Sequence, residues 1–362
     1  MLASPAPGGA EMLVRNLSAE FTGQGHACRI LFMSDAAGVG NPPGFEREFL
    51  AGLDAAGVGY EIMEPKAFRS ILAGARRLRR AVQGFRPDVL HIHLARGLMC
   101  RSFSGTRVPT VYTHHNVTTN FSPWLFRLFD RSVDRYVAIG HACRQLLESH
   151  VRRPIVSIPN GVPAGFGEGG QRRKLARDPL ILGVGNLSAQ KDYATLIAAA
   201  ASAIPRFAAD GRRARVAIAG EGAERRRLEA LIAELGLAGQ VELLGARPDI
   251  AALMGEADAL ANSSVFEGLP ITLIEAAMSG LPTVASEVGG NAEVVADGAN
   301  GFLVPPRRPD LLADALFELL SDEARYVAFS QAALAQGRRF TLDTCVEAHL
   351  DLYRALLSSR SR

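Results

Sequence analysis

Two glutamates, Glu267 and Glu275, flank the start of a predicted helix in the second half of the chain. Pro270 suits the first turn of that helix, and residues 280–282 (Gly-Leu-Pro) end it. Free N–H groups at a helix N-terminus favour an anion or sugar oxygens. A carboxylate beside them can bind the paired hydroxyls of a ribose or a hexose. The spacing alone is weak evidence, because two solvated glutamates that flank a helix give the same pattern.

Lysine is scarce in this chain, where Lys66, Lys174 and Lys191 are the only lysines among 40 basic residues. Lys191 stands between a predicted strand and a predicted helix, where a compact ammonium group can neutralise a phosphate. The alternative is an exposed surface lysine. The scarcity of lysine and the strand–helix context favour phosphate binding.

Short apolar runs alternate with amphipathic segments along the chain, and this alternation predicts parallel α/β structure. The predicted strands of the first half cover residues 28–33, 88–93, 110–113, 135–139 and 155–158. Those of the second half cover residues 180–184, 215–219, 240–244, 257–261 and 283–285. The predicted helices include residues 10–21, 193–201, 224–235, 271–278 and 342–357.

This alternation of strands and helices predicts two consecutive Rossmann-like units, with the expected ligand site in a cleft between them. Residues 163–177 are rich in Gly and Arg and poor in apolar side chains, which makes them the best linker candidate. We therefore predict an N-terminal domain over residues 1–165 and a C-terminal domain over residues 166–340. A last helix over residues 341–362 can pack back on the N-terminal domain.

The composition limits the class of protein. A chain of 362 residues with 48% hydrophobic and 21% charged residues suits two globular domains. The net charge of +3 is too small to indicate nucleic-acid binding. No apolar run reaches the roughly 18 residues of a membrane span, and we expect no signal peptide. The four cysteines lack metal-ligand spacing, so we expect reduced thiols in a cytoplasmic protein.

The residues around Glu267 and Glu275 resemble the retaining glycosyltransferases of GT-B architecture known as group 1 or family 4. Val-Gly-Asn-Leu at 184–187 and Gln-Lys-Asp at 190–192 look like the phosphate-binding turn of that family. The resemblance continues through residues 219–222, 241–245, 247–249, 280–285, 288–290, 293–294 and 298–305. It therefore covers nearly the whole second half of the chain.

The first half matches the same family more loosely, as family members do where the acceptor binds. The matching segments are residues 8–11, 87–93, 112–116 and 158–162. The resemblance implies an α/β fold of GT-B architecture, in which two Rossmann-like domains face each other across a cleft. The C-terminal domain is then expected to bind the donor.

The resemblance also implies a role for each matching residue. Glu275 is expected to bind the ribose hydroxyls of the donor, and Lys191 to neutralise its diphosphate. Glu267 is expected to contact the transferred sugar, beside the backbone N–H groups of Gly268 and Leu269.

The chain departs from the family at Asn186, where family members usually carry Arg. An amide donates a hydrogen bond but brings no charge. The diphosphate is then expected to rest on Lys191, the helix N-termini and Arg247. The bare backbone of Gly8 and Gly9 can approach the distal phosphate from the N-terminal domain, although an isolated Gly-Gly is typical of an ordinary turn.

Histidines follow two predicted strands, at the carboxyl ends where α/β proteins bind ligands. By register with the family, His115 matches the active-site histidine, near the anomeric carbon of the sugar. His114 and His93 are candidates for the acceptor side. The alternatives are a histidine pair that ends a strand and, for His93, a satisfied core histidine.

Residues 1–4 leave room for only the tail of a strand before the turn at Gly8. Prolines are excluded from central strands, so Pro5 and Pro7 cannot extend it, and a typical strand has about 5–6 residues. The glycine turn of the family follows a buried strand. We therefore expect the first strand of the N-terminal domain to be truncated in this sequence. Two outcomes fit this expectation: either translation starts upstream, or the chain as given is unstable and poorly active.

Two segments combine the features that hold a peripheral enzyme on an anionic bilayer. Residues 68–86 carry Arg76, Arg77, Arg79 and Arg80 on a helical pattern, and residues 121–129 are rich in aromatic side chains. The alternatives are a solvated arginine face and core aromatics.

We expect a glycosyltransferase that moves a sugar, with retention, from a nucleoside diphosphate sugar to a glycan or lipid-linked acceptor. The setting that analogy suggests is cell-surface polysaccharide or glycolipid assembly, in the cytoplasm or at the inner face of the plasma membrane. We expect Lys191 and helix dipoles, not a metal or other cofactor, to stabilise the leaving group, and the lack of an Asp-x-Asp sequence agrees with this. The alternatives are a non-catalytic sugar-nucleotide-binding protein, which Asn186 favours, and a sugar-nucleotide epimerase.

Overall fold

The structure is a computed structural model that describes residues 1–5, 8–39, 43–63, 70–117, 124–166 and 174–359. The chain divides into two compact units, one of residues 1–161 with the segment from residue 342 onward, the other of residues 162–341. The start of the predicted basic helix, the start of the predicted aromatic segment and the centre of the predicted linker lie outside the described residues.

Twelve strands, all paired in parallel, form in the described part of the chain. They are β1 (Arg29–Phe32), β2 (Gly59–Ile62), β3 (Leu90–Ile92), β4 (Thr110–His114), β5 (Arg135–Ala138), β6 (Ile155–Ser157), β7 (Leu180–Val184), β8 (Arg215–Ala219), β9 (Val241–Gly245), β10 (Ala259–Asn262), β11 (Thr283–Ser286) and β12 (Gly301–Val304).

The α-helices of the same ranges alternate with these strands. They are α1 (Gly9–Gly23), α2 (Pro43–Ala55), α3 (Ile71–Phe85), α4 (Ala95–Ser104), α5 (Leu125–Phe129), α6 (His141–Glu148), α7 (Tyr193–Ala209), α8 (Arg225–Glu234), α9 (Ile250–Glu256), α10 (Ile271–Met278), α11 (Asn291–Val294), α12 (Pro309–Leu319), α13 (Glu323–Gly337) and α14 (Leu342–Ser358). None of these helices is both long and apolar enough to cross a membrane.

The unit of residues 162–341 is built on a six-stranded sheet with the order β12-β11-β10-β7-β8-β9. Ile181 of β7 and Ile218 of β8 are fully buried, and they pack with Leu196 and Phe207 of α7 in one core. The chain runs from β7 to β9 at one edge, then returns to β10 beside β7 and continues to the other edge. The sheet therefore has a topological switch point between β7 and β10, where open α/β sheets bind their ligands.

The other unit contains a four-stranded sheet, β3-β4-β5-β6, and a two-stranded sheet, β1-β2. The first residues of the chain join them. The N–H of Leu2 donates to the carbonyl of Leu31 at 3.0 Å, and the N–H of His93 donates to the carbonyl of Met1 at 3.1 Å. Leu2 is buried in a core with Val14 and with residues of β1. Residues 1 and 2 therefore lie between β1 and β3 and bond to both strands.

A cavity of about 410 Å³ lies in this same unit and is lined by Met1 and by side chains from α1, β1, α3, β3 and α14. Helix α14 packs against α1, where the rings of Tyr353 and Phe21 meet edge to face with centroids 5.9 Å apart. The apolar face of α14 is buried through Val346, Leu350 and Leu356. The C-terminal helix is thus part of the unit that begins at residue 1.

Candidate active site

Lys191 and Glu267 meet at the switch point of the six-stranded sheet. Lys191 lies in the loop after β7, and Glu267 lies in the loop after the neighbouring strand β10. The Lys191 Nζ atom is 2.6 Å from Glu267 Oε1, and the Glu267 side chain is 7% exposed. The structure therefore brings together two of the predicted site residues, the donor-binding Lys191 and the catalytic Glu267, as a partly buried ion pair.

A serine that the sequence analysis missed completes this contact. The hydroxyl of Ser264 donates to Glu267 Oε1 at 2.6 Å, and Ser264 is 1% exposed. Lys191 and Ser264 thus bind the same carboxylate oxygen. The Ser-x-x-Glu spacing was the available signal, because a hydroxyl three residues from a carboxylate can reach it through a single turn.

The two loops are joined by backbone contacts as well. The N–H of Val265 donates to the carbonyl of Gln190 at 2.8 Å, and the amide of Gln190 donates to the carbonyl of Phe266 at 3.1 Å. The hydroxyl of Ser263 donates to the carbonyl of Lys191 at 2.9 Å. These bonds fix the distance between the two loops, so the ion pair does not depend on the side chains alone.

The glycine pair after β11 permits a third loop to approach the site. A β-carbon at Gly289 would lie 1.8 Å from the carbonyl oxygen of Glu267, and one at Gly290 would lie 2.1 Å from that of Gly268. Gly289 also has a φ of +49°, which favours glycine. The resemblance included these glycines, but only the structure shows that they pack on the backbone of Glu267.

We expect Gly289→Ala to reduce activity much more than Gly298→Ala. Both glycines have positive φ, at +49° and +68°, so both substitutions carry left-handed strain of about 1–2 kcal/mol. No atom lies within 4 Å of a β-carbon at Gly298, whereas the alanine at 289 must displace Glu267. Melting temperature and donor kinetics of the two variants test this, and equal losses would contradict it.

The predicted phosphate turn forms at the carboxyl end of β7. The loop after β8 packs closely on this turn. A β-carbon at Gly220 would lie 1.9 Å from the carbonyl oxygen of Gly185, and one at Gly222 would lie 2.3 Å from that of Leu187. Asn186 lies between these carbonyls, and its side chain is exposed. The turn is therefore held by close backbone packing, and Asn186 is accessible to a ligand.

Arg247 is already paired in this structure. Its guanidinium donates to Asp249 Oδ1 at 2.7 Å and makes a second bond to Oδ2, and both side chains are exposed. The hydrogen bond to Arg247 lowers the pKa of the Asp249 carboxyl. A diphosphate would have to displace Asp249 to bind Arg247, so Lys191 is the better placed cation.

Gly268 and Leu269 are buried at the N-terminus of α10, and Pro270 is its N-cap. Pro270 thus lies one position before the predicted first turn, with φ −73° and ψ 121°. Glu275 lies one turn inside α10 and is half-buried, and its carboxylate has no hydrogen-bond or ion-pair partner among the described residues. Burial raises the pKa of Glu275 from 4.5 to about 7.

The stability of the ligand-free protein is expected to fall as the pH rises from about 4.5 to about 7. Over this range the unfolded chain has lost the Glu275 proton and the native protein still holds it, so rising pH favours unfolding. The loss is on the order of 1–3 kcal/mol. Urea unfolding at several pH values measures it. Glu275→Gln should remove this component, whereas the exposed control Glu234→Gln should retain it, and identical profiles for both variants would contradict the assignment.

The predicted histidines lie in the other unit, where His93 and His115 form a pair. His93 Nδ1 and His115 Nε2 are 2.9 Å apart, and their rings stack with centroids at 5.2 Å. Burial lowers the pKa of His115 to about 3 and holds that of His93 well below its ordinary value. Both rings are therefore neutral near pH 7, so the pair can exchange hydrogen bonds but supplies no positive charge.

His91 and His114 contact other side chains of the same unit. His91 has partners at both ring nitrogens, Tyr353 Oη at 2.6 Å and Thr113 Oγ1 at 2.7 Å. His114 is 4% exposed, with Nδ1 at 3.2 Å from Tyr112 Oη and its ring against Phe126. His114 therefore points into the core, because consecutive side chains along a strand point to opposite faces, and its acceptor-side role stays a prediction.

The turn at Gly8 and Gly9 begins α1, with Gly8 as the N-cap and Gly9 as the first helical residue. A β-carbon at Gly8 would lie 2.2 Å from Oε2 of Glu11, so a carboxylate lies over this turn. Burial raises the pKa of Glu11. A phosphate that approached Gly8 would meet the acidic side chain of Glu11, which the sequence analysis did not consider.

No group of three or more His, Cys, Asp or Glu side chains in the described ranges is arranged to hold a metal ion. Lys191 and the N–H groups at the start of α10 supply positive charge at the site.

Two parallel α/β units with a lysine–glutamate pair at a switch point define a protein of the GT-B class. A solved structure of the Anabaena protein HepE in complex with UDP-glucose has a TM-score of 0.80 and 22% identity, and the match covers 99% of each chain. At that identity the likeness concerns the fold alone, and it confirms the predicted GT-B fold.

Sequence profiles identify the family. A profile of group 1 glycosyl transferases matches residues 170–336, and a profile of glycosyltransferase family 4 matches residues 7–166. The chain belongs to the group 1, family 4 glycosyltransferases, which confirms the resemblance found in the motifs.

Curated relatives in this family differ in length from the chain. An exopolysaccharide phosphotransferase of Streptomyces coelicolor is 30% identical over 78% of this chain and 30% of that protein. A D-inositol 3-phosphate glycosyltransferase of Corynebacterium urealyticum is 33% identical over 58% of this chain and 53% of that protein. The chain thus spans between about a third and half of the length of the curated relatives it matches.

Proposed function

We propose that this protein is a retaining glycosyltransferase that moves a sugar from a nucleoside diphosphate sugar to a glycan or lipid-linked acceptor. The observation that carries the proposal is the Lys191–Glu267 pair at the switch point between β7 and β10, with Glu275 in the helix that follows. This arrangement supplies one cation for a diphosphate and two carboxylates for hydroxyl groups. Membership of the family supports the same reaction.

In the proposed mechanism Lys191 and the N-terminus of α10 stabilise the charge that develops on the departing diphosphate. Glu275 accepts hydrogen bonds from the ribose hydroxyls, and Glu267 accepts them from the sugar, beside the backbone of Gly268 and Leu269. The bond from the anomeric carbon to the phosphate oxygen breaks while the acceptor oxygen bonds to the same face. Because the acceptor oxygen bonds to the face that the phosphate leaves, the configuration is retained, and the acceptor proton passes to the departing phosphate oxygen.

The acceptor side of the proposal uses the neutral pair of His93 and His115. A ring nitrogen of this pair can hold an acceptor hydroxyl by a hydrogen bond without adding charge. The names of the two curated relatives, which refer to an exopolysaccharide and to an inositol phosphate, favour a hydroxyl-rich acceptor. We place the reaction in the cytoplasm, in cell-surface polysaccharide or glycolipid assembly.

We also propose that the unit of residues 1–161 contacts the anionic inner face of the plasma membrane. Leu72, Phe103 and Trp124 are 59%, 60% and 62% exposed, and α3, whose exposed arginines include Arg76 and Arg80, packs on α4. Binding to phosphatidylglycerol vesicles but not to phosphatidylcholine vesicles, and its loss in Arg76→Glu/Arg80→Glu, would support this contact. Equal binding to both vesicle types would contradict it.

The test of the function is a panel of UDP-, GDP- and ADP-sugars incubated with purified protein and a mixture of acceptors. A donor should raise the melting temperature by mass action and should then be transferred or slowly hydrolysed. Because the proposal assigns the leaving-group charge to Lys191, EDTA should leave turnover unchanged. Binding without turnover would favour a non-catalytic protein, and release of isomerised free sugar would favour an epimerase.

A further inference from the structure

We propose that Ser264 is a positioning residue that holds Glu267 in place when Lys191 turns from Glu267 to the donor diphosphate. This inference rests on the proposed function, because it concerns what happens to the ion pair when a donor binds. It assigns a role to a side chain outside the predicted set of donor-binding residues.

The first argument is that two donors share one oxygen. Lys191 Nζ and Ser264 Oγ each lie 2.6 Å from Glu267 Oε1, and the described residues give Oε2 no hydrogen bond. Oε2 is therefore the oxygen that remains available to a sugar hydroxyl. The direction in which Oε2 points depends on how firmly Lys191 and Ser264 hold Oε1.

The second argument is that Lys191 has two competing uses. In this structure Lys191 compensates the charge of Glu267, whose side chain is 7% exposed. A diphosphate carries more negative charge than one carboxylate and draws Lys191 toward itself. The ion pair between Lys191 and Glu267 then weakens while the carboxylate stays buried. A buried charge without a partner destabilises the protein unless another hydrogen-bond donor remains.

The third argument is that Ser264 cannot follow Lys191. Its side chain is short and 1% exposed, and its own N–H donates to Asn262 Oδ1 at 3.2 Å. The loop it belongs to is joined to the Lys191 loop by the hydrogen bond from the Val265 N–H to the Gln190 carbonyl. The hydroxyl of Ser264 therefore stays on Oε1 whichever group Lys191 binds.

A stability cycle tests this role without any substrate. Ser264→Ala is measured in the wild-type protein and in Lys191→Met, with Ser330→Ala as the matched control. Ser330 is also fully buried and donates one 2.7 Å hydrogen bond, to the carbonyl of Gly280, away from Glu267. We expect Ser264→Ala to lower the melting temperature at least twice as much in Lys191→Met as in wild type, because Glu267 then loses its last donor among the described residues. Ser330→Ala should cause the same drop in both, and additive behaviour of Ser264→Ala would overturn the proposal.

Enzyme kinetics provide a second test of the role of Ser264. Ser264→Ala is expected to lower kcat about tenfold with less than a threefold change in the KM of the donor, and Ser264→Thr, which keeps the hydroxyl, should recover part of the loss. In a Glu267→Ala background Ser264→Ala should add nothing, and a full further tenfold loss there would count against the role. A wild-type protein that neither binds nor turns over any nucleotide sugar would refute the proposed function instead, while the stability cycle would still decide the role of Ser264.

Discussion

Replacement of Lys191 by alanine is expected to reduce sugar transfer by about 10- to 200-fold, because an interaction with a charged group contributes about 1.5–3 kcal/mol. Lys191 is a partly buried cation at the switch point, 2.6 Å from Glu267. Asn186 brings no charge, and Arg247 is occupied by Asp249. The measurement is kcat/KM with the donor found in the nucleotide-sugar panel.

Two controls separate phosphate binding from stability. Lys174→Ala removes an exposed lysine of the same unit and should leave kcat/KM near the wild-type value. Lys191→Ala also leaves Glu267 as a buried charge with one donor, so the melting temperature should fall, and Lys191→Ala/Glu267→Ala should recover it without recovering activity. Unchanged kinetics in Lys191→Ala would show that the diphosphate binds elsewhere.

Alanine at the two glutamates is expected to separate binding from turnover. Glu275→Ala should weaken the binding of a nucleoside diphosphate about 10- to 200-fold, because the ribose hydroxyls lose a charged acceptor. Glu267→Ala should lower kcat by a similar factor and leave the affinity for the nucleoside diphosphate nearly unchanged, because its partner is the sugar. Calorimetry with the nucleoside diphosphate and kinetics with its sugar measure the two effects.

The titration of Glu275 predicts that the affinity for the nucleoside diphosphate depends on pH. Because burial raises the pKa of Glu275 to about 7, the carboxyl is largely protonated at pH 6 and ionised at pH 8. An ionised carboxylate accepts hydroxyl donors better, so wild-type affinity should rise over this interval and Glu275→Gln should stay flat. Equal losses of nucleotide affinity in Glu267→Ala and Glu275→Ala would contradict the assignment of the ribose to Glu275 and of the transferred sugar to Glu267.

Most of the fold was predictable because its signals are local. Apolar runs predicted nearly every strand, and the predicted strand over residues 180–184 coincides with β7, Leu180–Val184. Helix α10, Ile271–Met278, also coincides with the predicted helix over residues 271–278, although Pro270 is its N-cap and not part of its first turn. Such patterns are set by side chains a few positions apart, so they can be seen without knowing where the segments pack.

The site was predictable only as a set of residues. The motif indicated Lys191, Glu267 and Glu275 as candidate site residues, but the contact between Lys191 and Glu267 spans 76 positions of sequence. It exists because the strand order puts β7 beside β10. A sequence pattern gives the order of strands along the chain, whereas their order in the sheet depends on how the whole unit packs.

Tertiary packing also decided the state of individual side chains. It placed the ring of His114 in the core, paired Arg247 with Asp249, and laid the carboxylate of Glu11 over Gly8. It put Ser264 and Lys191 on one oxygen of Glu267. The sequence by itself therefore determined the family, the alternating elements and the chemical groups of the site. Only the tertiary structure decided which groups are paired, buried or accessible, because burial and charge pairing depend on neighbours that are distant in the chain.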